Sequence, residues 1–304
     1  RTRHSLRPRL GRRPPSAAPA SATSACAAAP AQTPVPANPA TAVTRAANAA
    51  VLQQLPFTDR RDFDNAQRGF IARPATLTIR DAQGRVVWDL QSYQSYIGLD
   101  RAAPDTVNPS LWRNAQLNMQ YGLFKVTDRI YQVRGYDLSN ITFVQGDTGW
   151  IVFDPLISPE TARAAYDLVT ANLGQRPVVA VIYSHSHVDH YGGVRGIVDE
   201  ADVRSGKVPV LASEGFLEHA VSENIIAGNA MARRAVYMYG ALLPRSPTGG
   251  VNAGLGQTTS TGVPGLIPPT DLIHHTGEER TIDGVRMVFQ FTPGTEAPTE
   301  MNTW

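Results

Sequence analysis

The sequence predicts an α/β sandwich, and three observations favour that fold class over a barrel. Short strand patterns come first in the folded part of the chain, between residues 76 and 153. Strand patterns mixed with helical patterns follow, from residue 158 to residue 291, which suits sheets covered by helices. No internal repeat of the length found in solenoids or propellers accompanies this order.

Length and composition exclude several classes of protein. The 304 residues allow one large domain or two ordinary ones, with a substantial core. Charged residues make up 18% of the chain and the net charge is +2, so no strong electrostatic signature for nucleic acid is present. Cys26 is the only cysteine, which excludes a disulfide framework and a thiolate zinc site. No run of about 18 apolar residues exists, so we expect no transmembrane helix.

Residues 1–47 predict a disordered leader or an export segment. Six arginines among the first thirteen residues precede a stretch rich in Ala, Pro, Ser and Thr, which cannot bury enough apolar surface to fold. The arginines could begin an export signal, although prolines interrupt the apolar stretch that such a signal needs. A lipoprotein cleavage site before Cys26 is the less favoured alternative. We expect a periplasmic or secreted protein, or otherwise a cytoplasmic one, with a folded domain over residues 48–304.

Short strands predict the sheets of the sandwich. Thr76–Ile79 and Val86–Leu90 flank the turn sequence Asp81–Gly84, which indicates a hairpin. Further strands, including a second hairpin around Asp283-Gly284, are predicted at Leu123–Val126, Ile130–Val133, Ile141–Val144, Trp150–Phe153, Val208–Leu211, Thr281–Ile282 and Val285–Phe291.

Helices are predicted between these strands. Ser158 followed by Pro159 indicates a capped helix that extends to about Asn172. Less regular patterns predict helical structure at 48–70 and 214–240. Residues 245–269 are rich in Gly, Pro and Thr and predict a loop.

A cluster of histidines directly follows the most apolar strand. Val178–Tyr183 is a continuous apolar run that predicts a strand buried on both faces. The sequence His185-Ser186-His187-Val188-Asp189-His190 begins just past its carboxyl end, where ligand sites of α/β sheets gather. Tyr191-Gly192-Gly193 follows, and we expect a helix to begin after it.

The spacing within this cluster indicates a metal site. In an extended segment, residues i and i+2 point the same way, so His185 and His187 can hold one ion. A turn after them would present Asp189 and His190 to a second ion. Imidazole and carboxylate ligands suit zinc, although iron or manganese could occupy the same site. Two such ions can share a hydroxide and orient a substrate.

Such a site needs another ligand from further along the chain. His219 lies in a helical stretch and is expected at the surface. Adjacent strand residues face opposite ways, which weakens the case for both His274 and His275. Glu296 follows a strand end in the sequence Pro293–Pro298, where a turn could aim its carboxylate into the site. Glu300 is a further candidate that the residues alone do not exclude.

The histidine cluster resembles the signature of the metallo-β-lactamase superfamily, and its context resembles the bacterial alkylsulfatases that degrade sodium dodecyl sulfate. The Pro-Gly-Thr-Glu-Ala-Pro sequence at 293–298 is far more specific to the alkylsulfatases than the histidines are. The resemblance spans roughly residues 48–302 and rests on Asn48–Ala72, Met119–Leu156, Ser184–Val194, Met238–Arg245, Ala253–Gly256 and Thr292–Asn302.

The resemblance implies a fold and a ligand set. The fold is an αββα sandwich, incomplete at the C-terminus, which makes residues 48–304 a partial catalytic domain. His185, His187 and Glu296 would hold one zinc ion, and Asp189 and His190 would hold a second. The family completes its site with a further Glu and a later His that fall beyond Trp304. Its dimerisation region is also missing, although the family would predict a homodimer.

The resemblance also implies a function. We expect a zinc-dependent hydrolase that cleaves alkyl sulfate esters to alcohol and sulfate through metal-bound hydroxide, with Asp189 among the catalytic residues. Tyr237, Tyr239 and Arg245 would border the substrate. Attack at sulfur and attack at carbon both stay open, as does the preference for primary or secondary esters. The alternatives are another hydrolase of the superfamily (a lactonase, thioesterase or β-lactamase) and a fragment with little or no activity.

Overall fold

The computed structural model describes residues 37–304, so most of the predicted leader, including Cys26, lies outside the described residues. Helix α1 spans Ala42–Gln54, and the Thr41 side chain caps it by accepting a hydrogen bond from the Thr44 amide. The regular structure therefore begins earlier than the predicted boundary at residue 48. No helix within residues 37–304 is both long enough and apolar enough to cross a membrane.

An eight-stranded sheet forms the centre of the folded unit 37–304. Its strands lie in the order β1-β4-β5-β6-β7-β8-β9-β10. Antiparallel pairing joins β1 through β7, and parallel pairing joins β7 through β10. The strands span Phe70–Ala72 (β1), Gly122–Thr127 (β4), Ile130–Arg134 (β5), Ile141–Gln145 (β6), Trp150–Phe153 (β7), Val178–Ile182 (β8), Val210–Ser213 (β9) and Asp271–Ile273 (β10).

Two small sheets accompany the large one. The predicted hairpin around Asp81–Gly84 is confirmed as β2 (Thr78–Arg80) and β3 (Val86–Asp89). The second predicted hairpin is confirmed as β11 (Glu279–Ile282) and β12 (Val285–Phe291), to which β13 (Met301–Thr303) adds an edge strand.

The core is divided between the two faces of the large sheet. On one face, Ile151 and Ile182 pack with Met287 and Phe289 of β12, so the three-stranded sheet lies over the large one. On the other face, Trp150 and Val181 join a larger cluster that includes residues of the helices. The predicted α/β sandwich is thereby confirmed.

The helices occupy the second of these faces and the connections around it. The predicted helix after Ser158 is confirmed as α5 (Pro159–Leu173), capped by the Ser158 side chain and ended by Gly174 at a φ of 91°. The other helices span Arg61–Gln67 (α2), Gln91–Gln94 (α3), Pro109–Asn118 (α4), Glu200–Arg204 (α6), Phe216–Val221 (α7) and Gly228–Tyr239 (α8).

The helix predicted after Gly193 is wrong. Only a single 3-10 turn at Val194–Gly196 follows Gly193, and the next α-helix, α6, begins at Glu200. Gly193 donates its amide proton to Leu156 O, and a Cβ at Gly193 would lie 2.0 Å from Pro155 O. The glycine therefore allows the histidine segment to lie against the chain that follows β7.

The long loop predicted over 245–269 is confirmed as irregular, but it is firmly attached. The buried Asp137 carboxylate accepts hydrogen bonds from the Ser260 amide (2.9 Å) and the Ser260 hydroxyl (2.6 Å). The same carboxylate accepts from the Thr161 hydroxyl of α5 (2.9 Å). Asp137 therefore ties the loop to the connection between β5 and β6 and to α5.

Candidate metal centre

The centre begins where the parallel strands β7 and β8 end at the same edge of the sheet. Asp154 directly follows β7, and its carboxylate accepts hydrogen bonds from the Ser184 amide and the Ser184 hydroxyl, both at 2.8 Å. A third hydrogen bond reaches the same carboxylate from His190 Nδ1 at 2.9 Å. Asp154 therefore fixes the start and the end of the histidine segment, a role that the sequence prediction missed.

His185 and His187 lie side by side in the arrangement that their spacing predicts. His185 Nε2 lies 3.1 Å from His187 Nδ1, and the two rings are nearly perpendicular, at 82°. Nitrogens bound to one tetrahedral zinc at about 2.0–2.1 Å are about 3.3 Å apart, so this spacing fits a shared ion. The His185 side chain is only 3% exposed, which holds its nitrogen in place.

Hydrogen bonds at the other ring nitrogens select the tautomers. Because the Ser184 hydroxyl donates to Asp154, it accepts from His185 Nδ1 at 2.9 Å, which leaves the lone pair on Nε2. His190 donates from Nδ1 to Asp154 in the same way, which leaves its Nε2 beside Asp189 Oδ2 at 3.2 Å. The Nε2 atom of His185 is thus available to a metal ion, whereas the Nε2 atom of His190 carries a proton that it shares with Asp189 and that a metal ion would have to displace.

Asp189 and His190 form a pair whose charges reinforce each other. Burial opposes ionisation, but the carboxylates of Asp154 and Asp189 raise the pKa of His190 to about 10. Burial also opposes the charge of Asp189, yet the hydrogen bond from His190 holds its pKa below the usual range. Burial and the neighbouring His190 lower the pKa of His185. The carboxylates of Asp154 and Asp189 therefore stabilise a positive charge at His190.

Glu296 is the carboxylate that approaches the first two histidines. Its Oε1 lies 4.0 Å from His185 Nε2 and 3.9 Å from His187 Nδ1. One donor atom from each of these three residues lies within 4.8 Å of the others. The Glu296 side chain is 65% exposed, so it can rotate through the short distance that remains to a shared ion.

Glu300, the other candidate carboxylate, holds the Glu296 turn. Its Oε2 accepts hydrogen bonds from the Thr295 hydroxyl (2.7 Å) and from the Glu296 amide (2.9 Å). Its backbone pairs with His185 in an isolated antiparallel bridge. Glu300 therefore positions the turn against the histidine segment and directs its own carboxylate into the turn.

The remaining histidine candidates do not join the cluster. His274 Nδ1 faces Glu214 at 3.3 Å, and exposed His275 lies 3.8 Å from Glu278. His219 is half-buried on α7. Within residues 37–304, the group of donors close enough for one ion contains His185, His187 and Glu296 alone.

Glu223 is a neighbour of the centre that the sequence prediction missed. Its Oε2 lies 3.9 Å from His187 Nε2, the nitrogen that faces away from His185. Glu223 belongs to a π-helical turn at Ser222–Ile226, a distortion that is often found at functional sites. No spacing rule in the sequence connects this residue to the histidines.

The three residues predicted to border the substrate differ in their positions. Tyr239 is half-buried at the end of α8, where burial and the nearby Asp189 and Glu223 raise its pKa. Tyr237 is 90% exposed and faces away from the core. Arg245 supports the loop, because its guanidinium donates to the Asp89 carbonyl (3.0 Å) and the Ser92 hydroxyl (2.7 Å). Its place at the substrate stays a prediction.

Comparison with known proteins identifies the family. The chain matches the metallo-beta-lactamase superfamily over residues 134–294, a segment that contains the whole histidine cluster and Asp154. The chain therefore belongs to the metallo-beta-lactamase superfamily, as the sequence predicted.

Within that superfamily, the chain is similar to alkylsulfatases. It is 58% identical over 265 residues to a linear primary-alkylsulfatase of Pseudomonas sp., which covers 87% of this chain and 39% of the relative. It is 52% identical over 258 residues to an alkyl/aryl-sulfatase of Saccharomyces cerevisiae, which covers 85% of this chain and 40% of the relative. The predicted resemblance to alkylsulfatases is thereby confirmed.

A solved structure shows the same fold. The stereoselective inverting sec-alkylsulfatase Pisa1 from Pseudomonas sp. superposes with a TM-score of 0.85 at 52% sequence identity. The superposition covers 88% of this chain and 42% of that protein. The chain thus spans about two fifths of the length of the relatives that it matches.

Proposed function

We propose that this chain carries the metal-binding part of a hydrolase that cleaves alkyl sulfate esters to an alcohol and sulfate. The approach of Glu296 to His185 and His187 supports this proposal, because one donor atom from each lies within 4.8 Å of the others. The identity of 52–58% to proteins named as alkylsulfatases supports the substrate class. Zinc is the metal that we propose, since two imidazoles and a carboxylate suit it.

The chain's own residues prepare the centre for such an ion. Zinc bound there would act as a Lewis acid and lower the pKa of a coordinated water molecule. Asp154 fixes the tautomer of His190 directly, and it fixes that of His185 through the Ser184 hydroxyl. Glu296 would complete the first set of ligands, and Asp189 with His190 would offer the second.

Asp189 is the residue to which we assign a proton-handling role. Its side chain is largely buried, and the hydrogen bond from His190 holds its pKa low, so it is a carboxylate at neutral pH. A carboxylate in this position can orient an attacking water molecule and accept its proton. Ser139 keeps Asp189 in place, because its hydroxyl donates to the Asp189 carbonyl at 2.5 Å.

Apolar surface beside the centre would receive the alkyl part of the substrate. Ile225 and Ile226 belong to the same π-helical turn as Glu223 and are 70% and 80% exposed. Tyr239 lies near Asp189 and offers both a ring face and a hydroxyl group. We assign the alkyl chain to this side, with exposed Tyr237 at its outer limit.

The test measures release of inorganic sulfate from octyl sulfate by the purified chain in the presence of zinc. We expect slow release that stops in Glu296→Gln and continues in the matched variant His275→Ala. Hydrolysis of a lactone, a thioester or a β-lactam without sulfate release would assign the chain to another hydrolase class. Complete absence of both zinc binding and turnover would identify an inactive fragment. The homodimer and the periplasmic or secreted location stay predictions.

A further inference from the structure

A pocket of about 450 Å³ lies next to the metal centre, and the proposed hydrolysis does not use it. Its wall includes Leu138 and Asn140, which flank Ser139, the residue that contacts the Asp189 carbonyl. Helix α2, the end of α4 and residues 255–257 form the other walls. The volume falls within the range of small-molecule binding sites.

Arg134, on β5, supplies a positive charge to this pocket. Its Nε donates to Gln132 Oε1 at 2.7 Å, its Nη1 donates to Ala66 O at 3.5 Å, and its guanidinium stacks over Phe124 at 4.4 Å. In the described part of the chain, Arg134 forms no ion pair with a carboxylate. Burial partly desolvates the guanidinium and lowers the pKa of this arginine.

The two carboxylates that border the pocket are engaged elsewhere. Asp62 pairs with Arg113 at 3.2 Å. Asp137 is buried and accepts hydrogen bonds from Ser260 and Thr161, on the side of the loop and α5. Neither carboxylate is placed to neutralise Arg134 by direct contact.

The remaining wall combines polar groups with apolar surface. Asn65 and Asn118 contribute amide groups, whereas Leu117 and the exposed Leu255 contribute apolar contacts. An anionic group at Arg134 would gain charge-assisted hydrogen bonds, and a short apolar group would cover the leucines. We propose that this pocket binds a small organic anion, such as a short alkyl sulfonate, sulfate or carboxylate, with its anionic group on Arg134. This site is separate from the metal ligands and does not depend on the proposed hydrolysis.

Isothermal titration calorimetry of the purified chain with sodium hexanesulfonate tests the proposal, because a sulfonate has no ester bond to cleave. We expect one bound sulfonate at this pocket, and hexanol, which lacks the charge, should not bind there. Arg134→Gln should weaken the affinity at least about tenfold. The matched variant Arg129→Gln, which removes an exposed arginine at the start of the same hairpin, should leave the affinity unchanged.

A second variant separates this pocket from the metal centre. His187→Ala should keep hexanesulfonate binding, because His187 does not line the pocket. Binding that disappears in His187→Ala, or that is unchanged in Arg134→Gln, would overturn the proposal, as would no binding by the unmodified chain. A crystal structure of the unmodified chain with hexanesulfonate gives an answer independent of the variants. A sulfonate within hydrogen-bond distance of Arg134 supports the proposal, and a sulfonate bound only elsewhere contradicts it.

Discussion

The two sides of the candidate metal centre are built in different ways. On the histidine side, His185 is almost fully buried, and Asp154 holds the segment at both ends through hydrogen bonds of 2.8–2.9 Å. On the carboxylate side, Glu296 is 65% exposed and stands on a turn that Glu300 holds. The histidines are therefore positioned by the large sheet, whereas the carboxylate depends on a loop.

This difference predicts how the two sides contribute to metal binding. Ligands that are fixed before the ion arrives lose little conformational freedom on binding, so the histidine side should supply most of the affinity. Glu296 must move closer to the two histidines before it can share their ion. This residue should therefore determine how fast and how completely the three ligands surround the ion. Substitutions of the residues that hold the ligands of each side in place can separate these contributions without removing a ligand.

The largest effect is expected from Asp154→Ala. This change removes the acceptor for His190 Nδ1 and for both donors of Ser184, so the histidines lose their fixed orientation. Zinc affinity should fall about 10–100-fold in a competition titration with a chelating dye. Asp147→Ala is the control, because Asp147 lies in the turn before β7 and is exposed. Equal losses in both variants would remove Asp154 from its assigned role.

A smaller effect is expected from Glu300→Ala. The Glu296 turn loses the acceptor for its amide and for the Thr295 hydroxyl, so amide hydrogen exchange should accelerate at residues 295–297. Zinc affinity should fall by about tenfold or less, since the histidines keep their supports. Glu279→Ala on β11 should change neither quantity. A loss as large as that in Asp154→Ala would show that the two sides do not differ.

Ser184→Ala tests the link between Asp154 and His185. The hydroxyl disappears while the Ser184 amide still donates to Asp154, so zinc affinity should fall only about three- to tenfold. Ser186→Ala is a matched control two residues away. Its buried hydroxyl has no hydrogen-bond partner within residues 37–304, so its loss should leave the affinity unchanged. The reverse order of effects would argue against the tautomer assignment for His185.

The smallest effect concerns the pH dependence of stability, through Asp283, which attaches the three-stranded sheet to the turn before β7. Although burial opposes its charge, amide donors from Gly149 and Thr148 hold the pKa of Asp283 below its usual range. A lowered folded pKa stabilises the protein above the pKa of a free aspartate, about 3.9, and this stability is lost as the pH falls through the folded value. Asp283→Asn should therefore reduce the pH dependence of urea unfolding below about pH 4. An unchanged slope would exclude this contribution.

Local sequence patterns predicted the ligands on the histidine side better than the residues that hold them in place. The buried strand, the histidine spacing and the Ser158 cap are properties of short stretches, and the fold reproduces them at β8, the cluster and α5. Asp154 and Glu223 were missed because their roles depend on contacts with residues distant in the sequence. A carboxylate directly after a buried strand is a signal that could have revealed Asp154.

Tertiary contact also explains other features that the local sequence did not predict. A helix was expected after Gly193, but the segment contacts the backbone of Pro155 and forms a single 3-10 turn at Val194–Gly196. The hydrogen bonds of Arg245 to Asp89 and Ser92 were not predicted, because the fold brings these residues together from more than a hundred residues away. Glu296 was assigned as a ligand through the family resemblance. Local sequence could not place it beside the histidines, because its position depends on β12, β13 and Glu300.

Zinc titration of three forms of the chain tests the central claim most directly. The unmodified chain should bind zinc through His185, His187 and Glu296, the three residues whose donor atoms lie within 4.8 Å of one another. Glu296→Gln should lose most of that affinity, and His275→Ala, whose exposed imidazole faces Glu278, should keep it. Unchanged zinc binding in Glu296→Gln together with its loss in His275→Ala would contradict the account.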